Sequence, residues 1–274
     1  PHAQRRVIDE CLALASQTFI TTHSPFVLER VPIDGIGRVG RSSDGEFAWT
    51  PLASGSYKKC NFFSKHLRSS HCEALVGCGV VVVEGDSDRW WLTGVSKLLN
   101  RVEWRGRKQE ALELAGIAVV NEDGNGDAVA LGEFFVDTGL KVVGFLDSGA
   151  TPGLLKRACE ASFPSIFHCH TGLERLLATE LPVPLLRRFL TEAPHAKNLP
   201  MDAATVATLG DLDVRRRAEE RLIENKGAAY MHAWLISLLA PTDVPSSLAD
   251  AVDAISAFVS GEREFGSCSI PKGT

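Results

Sequence analysis

Val80-Val81-Val82-Val83-Glu84-Gly85-Asp86-Ser87-Asp88 changes character halfway along. Four successive β-branched apolar residues are the pattern of a strand buried on both faces, as in a parallel sheet covered by helices. The run then breaks into a carboxylate, a glycine and two more carboxylates, which predicts a strand end, a tight turn and a helix over Ser87–Leu99.

The same rhythm repeats downstream. Ile117–Val120 reads as a second strand, followed by a Gly/Asn/Asp turn over Asn121–Asp127 and a helix to Thr138. Lys141–Leu146 is a third strand with a helix at Thr151–Ala161, and Ser165–Phe167 is a fourth with a helix at Leu173–Leu181. Strands alternating with helices predict an α/β fold, a doubly wound parallel sheet flanked by helices. From Pro182 to about Leu239 the chain reads as an added helical region. Upstream of the valines lie a helical stretch at Gln4–Ser16, a β-like run at Thr18–Thr22 and a short apolar helix at Phe26–Val31. Short strands and turns follow from Asp34 to Tyr57, with a boundary at Ala53-Ser54-Gly55-Ser56. The divisions expected are 1–70, 71–181, 182–262 and a disordered tail over 263–274.

Ligands of open parallel sheets sit beyond the carboxyl ends of the strands, near the switch in strand order. Two strands here run into acidic residues at that end, giving Glu84 and Asp147, and Gly85 and Gly149 let the backbone pass close to a ligand. Asp86 and Asp88 fall in the first helical turn, where a carboxylate also suits the positive helix end. Glu84, directly after four valines, is expected at a buried edge, where a carboxylate without a role is costly. Oxygen-only ligand sets suit Mg²⁺ or Mn²⁺ better than zinc. Such sets serve phosphodiester cleavage, with two ions roughly 4 Å apart on the attacking and leaving oxygens.

Glu84-Gly85 closing a valine strand, with Asp147 ending another about sixty residues later, resembles the Toprim domain of topoisomerases, primases and OLD nucleases. The string Glu84-Gly85-Asp86-Ser87-Asp88 is similar to the E-G-x-[ST]-[DE] form of OLD proteins. The resemblance implies a metal-dependent DNA nuclease in which Glu84, Asp88 and Asp147 hold the metal. Its second motif is ordinarily D-x-D; here it is Asp147-Ser148-Gly149, so Ser148 joins the metal set and the second aspartate is replaced. Glu174 resembles the later acidic position and would complete the set, and Lys226 resembles a lysine placed near the scissile phosphate. Phe19-Ile20-Thr21-Thr22-His23-Ser24-Pro25 resembles the switch-histidine strand of ABC ATPases in the OLD and SMC-like branch. The implication is that residues 1–70 are the remnant of such an ATPase plus a linker, with the rest of that domain preceding them. No G-x-x-x-x-G-K-[ST] run occurs in the 274 residues, so no ATPase activity is expected and His23 reads as a remnant. DNA and the ATPase part are the implied partners, with a homodimer open for the full-length protein.

Bulk properties bound these implications. No apolar run reaches the roughly 18–20 residues of a membrane span, and the first residues lack a signal-peptide core, so a cytoplasmic protein is expected. The seven cysteines are odd in number and scattered, which argues against a disulfide framework or a cysteine zinc site. His168-Cys169-His170 reads as structural. The net charge of −5 gives DNA binding no support. Local clusters at Arg101, Arg105, Arg107 and Lys108, at Arg187-Arg188 and at Arg215-Arg216-Arg217 are the candidate phosphate contacts, the last on a helix that mixes Arg and Glu as solvated faces do. Two other readings stay open: a non-catalytic Toprim-like module for DNA docking or dimerisation, and a topoisomerase or primase, for which the only tyrosines are Tyr57 and Tyr230.

Overall fold

The computed structural model describes residues 2–14, 17–41, 45–52, 69–104, 106–121, 128–147, 157–158, 160–168, 172–194 and 200–264. Its centre is a four-stranded parallel sheet: β3 (Gly79–Val83), β6 (Ile117–Asn121), β7 (Lys141–Asp147) and β8 (Ser165–His168), in spatial order β6-β3-β7-β8. All five residues of β3 are buried, as expected of a strand covered on both faces. Val83 lies opposite Asn121 on one side and Phe145 on the other, so β3 and β6 end level and β7 runs two residues further, to Asp147.

Alternation along β3 divides its valines between two cores. Val81 and Val83 join Val143, Phe145 and the apolar faces of α4 (Asp86–Leu99) and α6 (Leu173–Glu180). Val80 and Val82 join Val142, Leu146 and helix α5 (Ala128–Asp137) on the opposite face, together with Ile36 and Leu52 from the N-terminal part. Helices thus cover both faces, and the sheet is doubly wound, Toprim-like as the motifs implied.

The remaining helices, α7 (Val183–Glu192), α8 (Ala203–Thr208), α9 (Asp211–Glu224), α10 (Ala229–Ser237) and α11 (Ser246–Ser260), extend the first core through residues such as Phe189, Leu222, Met231 and Ile255. Glu180 receives hydrogen bonds from the Ser247 main-chain N–H at 2.9 Å and from the hydroxyls of Ser246 and Ser247, fixing the start of α11. At its other end Gly261 takes a left-handed φ of 84°, the usual glycine stop. On the second face, Phe163 lies where a Cβ on Gly132 would stand (2.3 Å) and close to that of Gly144 (3.3 Å). Two glycines therefore open the slot that its ring fills.

The N-terminal part holds α1 (His2–Leu14), α2 (Pro25–Leu28) and the antiparallel pair β1 (Gly37–Arg41) and β2 (Phe47–Pro51). Ion pairs Arg5–Glu29 at 2.9 Å and Arg30–Asp9 at 2.6 Å join α1 to the segment closing α2. The β-like run Thr18–Thr22 is not a strand: its backbone pairs with no neighbour among the described residues, and a ladder needs a partner whatever the local propensity. Helix α3 (Ser69–Leu75) and the small hairpin β4 (Glu103–Trp104) and β5 (Arg107–Lys108) were not foreseen. The boundary at 53–56, most of the helix expected over 151–161 and residues 265–274 of the tail lie outside the described residues.

Candidate metal centre

The strand order places β3 and β7 side by side, and the chain crosses β3 on its way from β6 to β7. The switch in direction therefore lies between their carboxyl ends, where Glu84 and Asp147 stand. The main-chain N–H of Asp147 donates to Glu84 Oε1 at 2.9 Å. Asp147 is half-buried, but Glu84 is exposed rather than set in a buried edge. The strand ends one residue earlier and the carboxylate turns to solvent, so the burial argument made for Glu84 from its sequence does not hold.

The buried carboxylates are instead Asp88 and Glu174. Asp88, in the first turn of α4, is 7% exposed and accepts the Gly85 N–H on Oδ2 at 3.0 Å. The helix start is thus tied by Asp88, whereas Asp86 is half-exposed and faces Arg89 at 3.6 Å. Burial pushes the Asp88 carboxyl well above the usual range, and the charges of Asp147 and Glu84 push it further; the Gly85 N–H and Lys226 oppose them. Glu174 opens α6 and is 5% exposed, and its Oε1 has no hydrogen-bond partner. Gly172 explains how Glu174 and Asp147 come close: a Cβ there would stand 3.3 Å from Glu174 Oε2 and 3.6 Å from Asp147 Oδ2. A side chain there would crowd Glu174 Oε2 by a few tenths of an ångström and touch Asp147 Oδ2.

Lys226, in the turn between α9 and α10, brings its Nζ to 3.6 Å from Glu174 Oε1, an ion pair longer than a hydrogen bond. Burial pulls its pKa down, but the charges of Glu174, Asp88 and Asp147 outweigh that and raise it. All five residues read from the sequence, Glu84, Asp88, Asp147, Glu174 and Lys226, therefore share one electrostatic neighbourhood. Among the described residues, no three His, Cys, Asp or Glu side chains converge tightly enough to enclose a metal ion. The donor set nevertheless fits one: anionic oxygens, a buried carboxylate oxygen with no hydrogen bond and only the long ion pair to Lys226, and a glycine beside two of the carboxylates. Ser148 and Gly149 lie outside the described residues.

Sequence reasoning missed His232, which is fully buried in α10 beside this site. Burial pushes its pKa down to about 4. Nothing in its surroundings along the chain, Met231-His232-Ala233, marks it. Ser87 carried a signal, as the serine of the Glu84–Asp88 string, but not a role.

Two of the three basic clusters, Arg187-Arg188 and Arg215-Arg216-Arg217, are engaged within the fold. Arg187 donates to the main-chain oxygens of Val206 and Leu209, and Arg215 to those of Ala178 and Leu181. Arg188 pairs with Glu192, and Arg216 and Arg217 pair with Glu220, the solvated pattern expected of α9. Arg101 and Lys108 are exposed; Arg105, the Arg107 side chain, Tyr57 and the His168–His170 side chains lie outside the described residues. Tyr230 is half-exposed on α10. His23 is exposed in the N-terminal part, along an apolar groove of about 360 Å³ that also includes Ile20, Val27, Ile36 and Trp49. No helix among the described residues is long and apolar enough to cross a membrane.

Fold and carboxylate edge together define a Toprim-like α/β module. Similar solved structures are C-terminal regions of OLD proteins. That of Burkholderia pseudomallei is 17% identical over 67% of this chain and 98% of its own, with a TM-score of 0.47. That of Xanthomonas campestris pv. campestris is 16% identical over 69% and 97%, with a TM-score of 0.48. No protein-family model and no curated protein matches the chain.

Proposed function

We propose that this chain is a divalent-metal-dependent DNA endonuclease or nickase, the nuclease part of an OLD-type protein. The observation that carries the reading is the gathering of Glu84, Asp88, Asp147 and Glu174 beyond the sheet, two of them buried and Glu174 Oε1 without a hydrogen bond. Burying carboxylates close to one another is costly unless a cation compensates them, and Glu174 meets the Lys226 ammonium only at 3.6 Å.

Glu84, Asp88, Asp147 and Glu174 would hold Mg²⁺ or Mn²⁺. A cation bound there supplies Lewis acidity toward a phosphoryl oxygen and lowers the pKa of attacking water. Glu174 keeps the Lys226 ammonium at the edge of the group, where it is exposed enough to meet a non-bridging phosphate oxygen. Asp88, tied to Gly85, fixes one carboxylate relative to the strand end. Hydrolysis adds water across a P–O bond: hydroxyl goes to phosphorus and a proton to the departing sugar oxygen.

The test is nicking of supercoiled plasmid with Mn²⁺ or Mg²⁺. Nicked circles are expected from the unmutated chain and none from Glu84→Ala or Asp147→Ala. Intact plasmid from the unmutated chain favours a second reading, a non-catalytic DNA-docking or dimerisation module. The lack of a preformed three-ligand group among the described residues, and Gly149 in the place of an aspartate, are what speak for it. Protein–DNA adducts surviving denaturation would instead point to a topoisomerase.

A further inference from the structure

His232 has neighbours whose chemistry fixes its tautomer. The indole Nε1–H of Trp91 points at His232 Nδ1 at 3.0 Å. Indole N–H only donates, so Nδ1 bears a lone pair and the proton of the neutral ring is on Nε2. Nε2 faces the Lys226 main-chain oxygen at 3.3 Å and Ser87 Oγ at 3.5 Å. Ser87 Oγ itself donates to that same oxygen at 2.7 Å. Ser87, Trp91 and His232 are all buried. With a pKa near 4 the imidazole stays neutral at physiological pH, so the pattern persists there.

A carbonyl held by two donors fixes its peptide plane, and with it the Cα from which the side chain leaves the backbone. We propose that Ser87 and His232, with Trp91 setting the tautomer, are positioning residues that pin the Lys226 carbonyl and so hold its ammonium beside Glu174. Ser87 and Asp88 are consecutive on α4, so one helix turn supplies both a carboxylate of the site and the hold on its lysine. The proposal deepens the nuclease reading and rests on it for the role of Lys226; the hydrogen bonds of the clamp need neither metal nor DNA.

His232→Asn keeps an acceptor for Trp91 but is too short to reach Lys226. In Mn²⁺-dependent nicking by the whole chain, its kcat is expected to fall about 100-fold, the scale of a misplacement near 1 Å. KM for plasmid and Mn²⁺ affinity stay unchanged. In a Lys226→Ala background the same substitution has no further effect, because the group it positions is gone. Equal losses in both backgrounds would mark His232 as structural and overturn the proposal. Ser87→Ala, which deletes one oxygen, repeats the cycle if His232→Asn fails to fold. Nitrogen-15 spectra of the imidazole at neutral pH give a readout independent of activity. A chain that nicks DNA but carries the proton on Nδ1 refutes the clamp and keeps the nuclease. A chain with the Nε2–H tautomer that never nicks refutes the nuclease and keeps the hydrogen-bond clamp.

Discussion

The Asp147 main-chain N–H donates to Glu84 Oε1 at 2.9 Å, so the ends of two adjacent parallel strands are joined through a side chain that is itself a candidate ligand. Charge and hydrogen bonding at Glu84 separate by substitution. Glu84→Gln keeps an amide oxygen for Asp147 and loses the charge, while Glu84→Ala loses both. Because Glu84 is exposed, stability of the glutamine variant is expected to stay within about 0.5 kcal/mol of the unmutated chain. Its Mn²⁺ affinity by calorimetry should fall at least about 10-fold, or about 1.4 kcal/mol. Unchanged Mn²⁺ affinity would remove Glu84 from the ligand set.

Asp88 gives the protein a pH dependence of definite sign. Its folded pKa lies well above its ordinary value of 3.8, chiefly through burial and then through the charges of Asp147 and Glu84. The folded state therefore binds the proton more tightly than the unfolded chain. The stability that the protonated group contributes is complete below 3.8 and is lost as pH rises through the raised folded pKa. Asp88→Asn keeps an oxygen for the Gly85 N–H and cannot ionise. Metal-free melting temperatures should show the variant matching the unmutated protein in acid and exceeding it at neutral pH. Parallel curves would contradict the shift.

The sheet was legible because its signal is local. Four valines in a row admit few arrangements other than a strand covered on both faces, and Asp147 falls at a strand end by the same logic. Which carboxylates would be buried was not legible. Glu84 follows the valines directly yet turns to solvent, whereas Glu174 is 90 residues downstream and is buried at the start of α6, which packs against α9. The partners of Ser87 are 139 and 145 residues away, so no window of sequence contains its role. Thr18–Thr22 failed in the other direction: β-branched residues set a propensity for extended backbone, but no strand among the described residues pairs with it.

Phe163 tests the packing behind the site. Its ring occupies the space left by Gly132 and Gly144, against β7, whose last residue is Asp147. Phe163→Ala is expected to cost about 3–5 kcal/mol in denaturant unfolding. Gly144→Val should cost about 1–3 kcal/mol by overpacking, since a Cβ there already meets Ser165 Oγ at 2.5 Å. A Gly144→Val variant as stable as the unmutated chain would show that β8 yields freely, and that the β7–β8 packing does not set the position of Asp147.

Gly172 separates fold from site most cleanly. Its φ of 171° is extended backbone that any residue adopts, so Gly172→Ala brings no backbone strain. The added methyl, however, would press against both candidate ligand oxygens, Glu174 Oε2 at 3.3 Å and Asp147 Oδ2 at 3.6 Å. Binding of Mn²⁺ at 100 times its dissociation constant stabilises a folded protein by about 2.7 kcal/mol. The unmutated chain should gain an increment of that order, reversed by chelator. Gly172→Ala should melt within a few degrees of it without metal and show little of the gain with metal. A full Mn²⁺ gain in the alanine variant would mean that the ion binds away from this gap, and would take Glu174 and Asp147 out of a shared site.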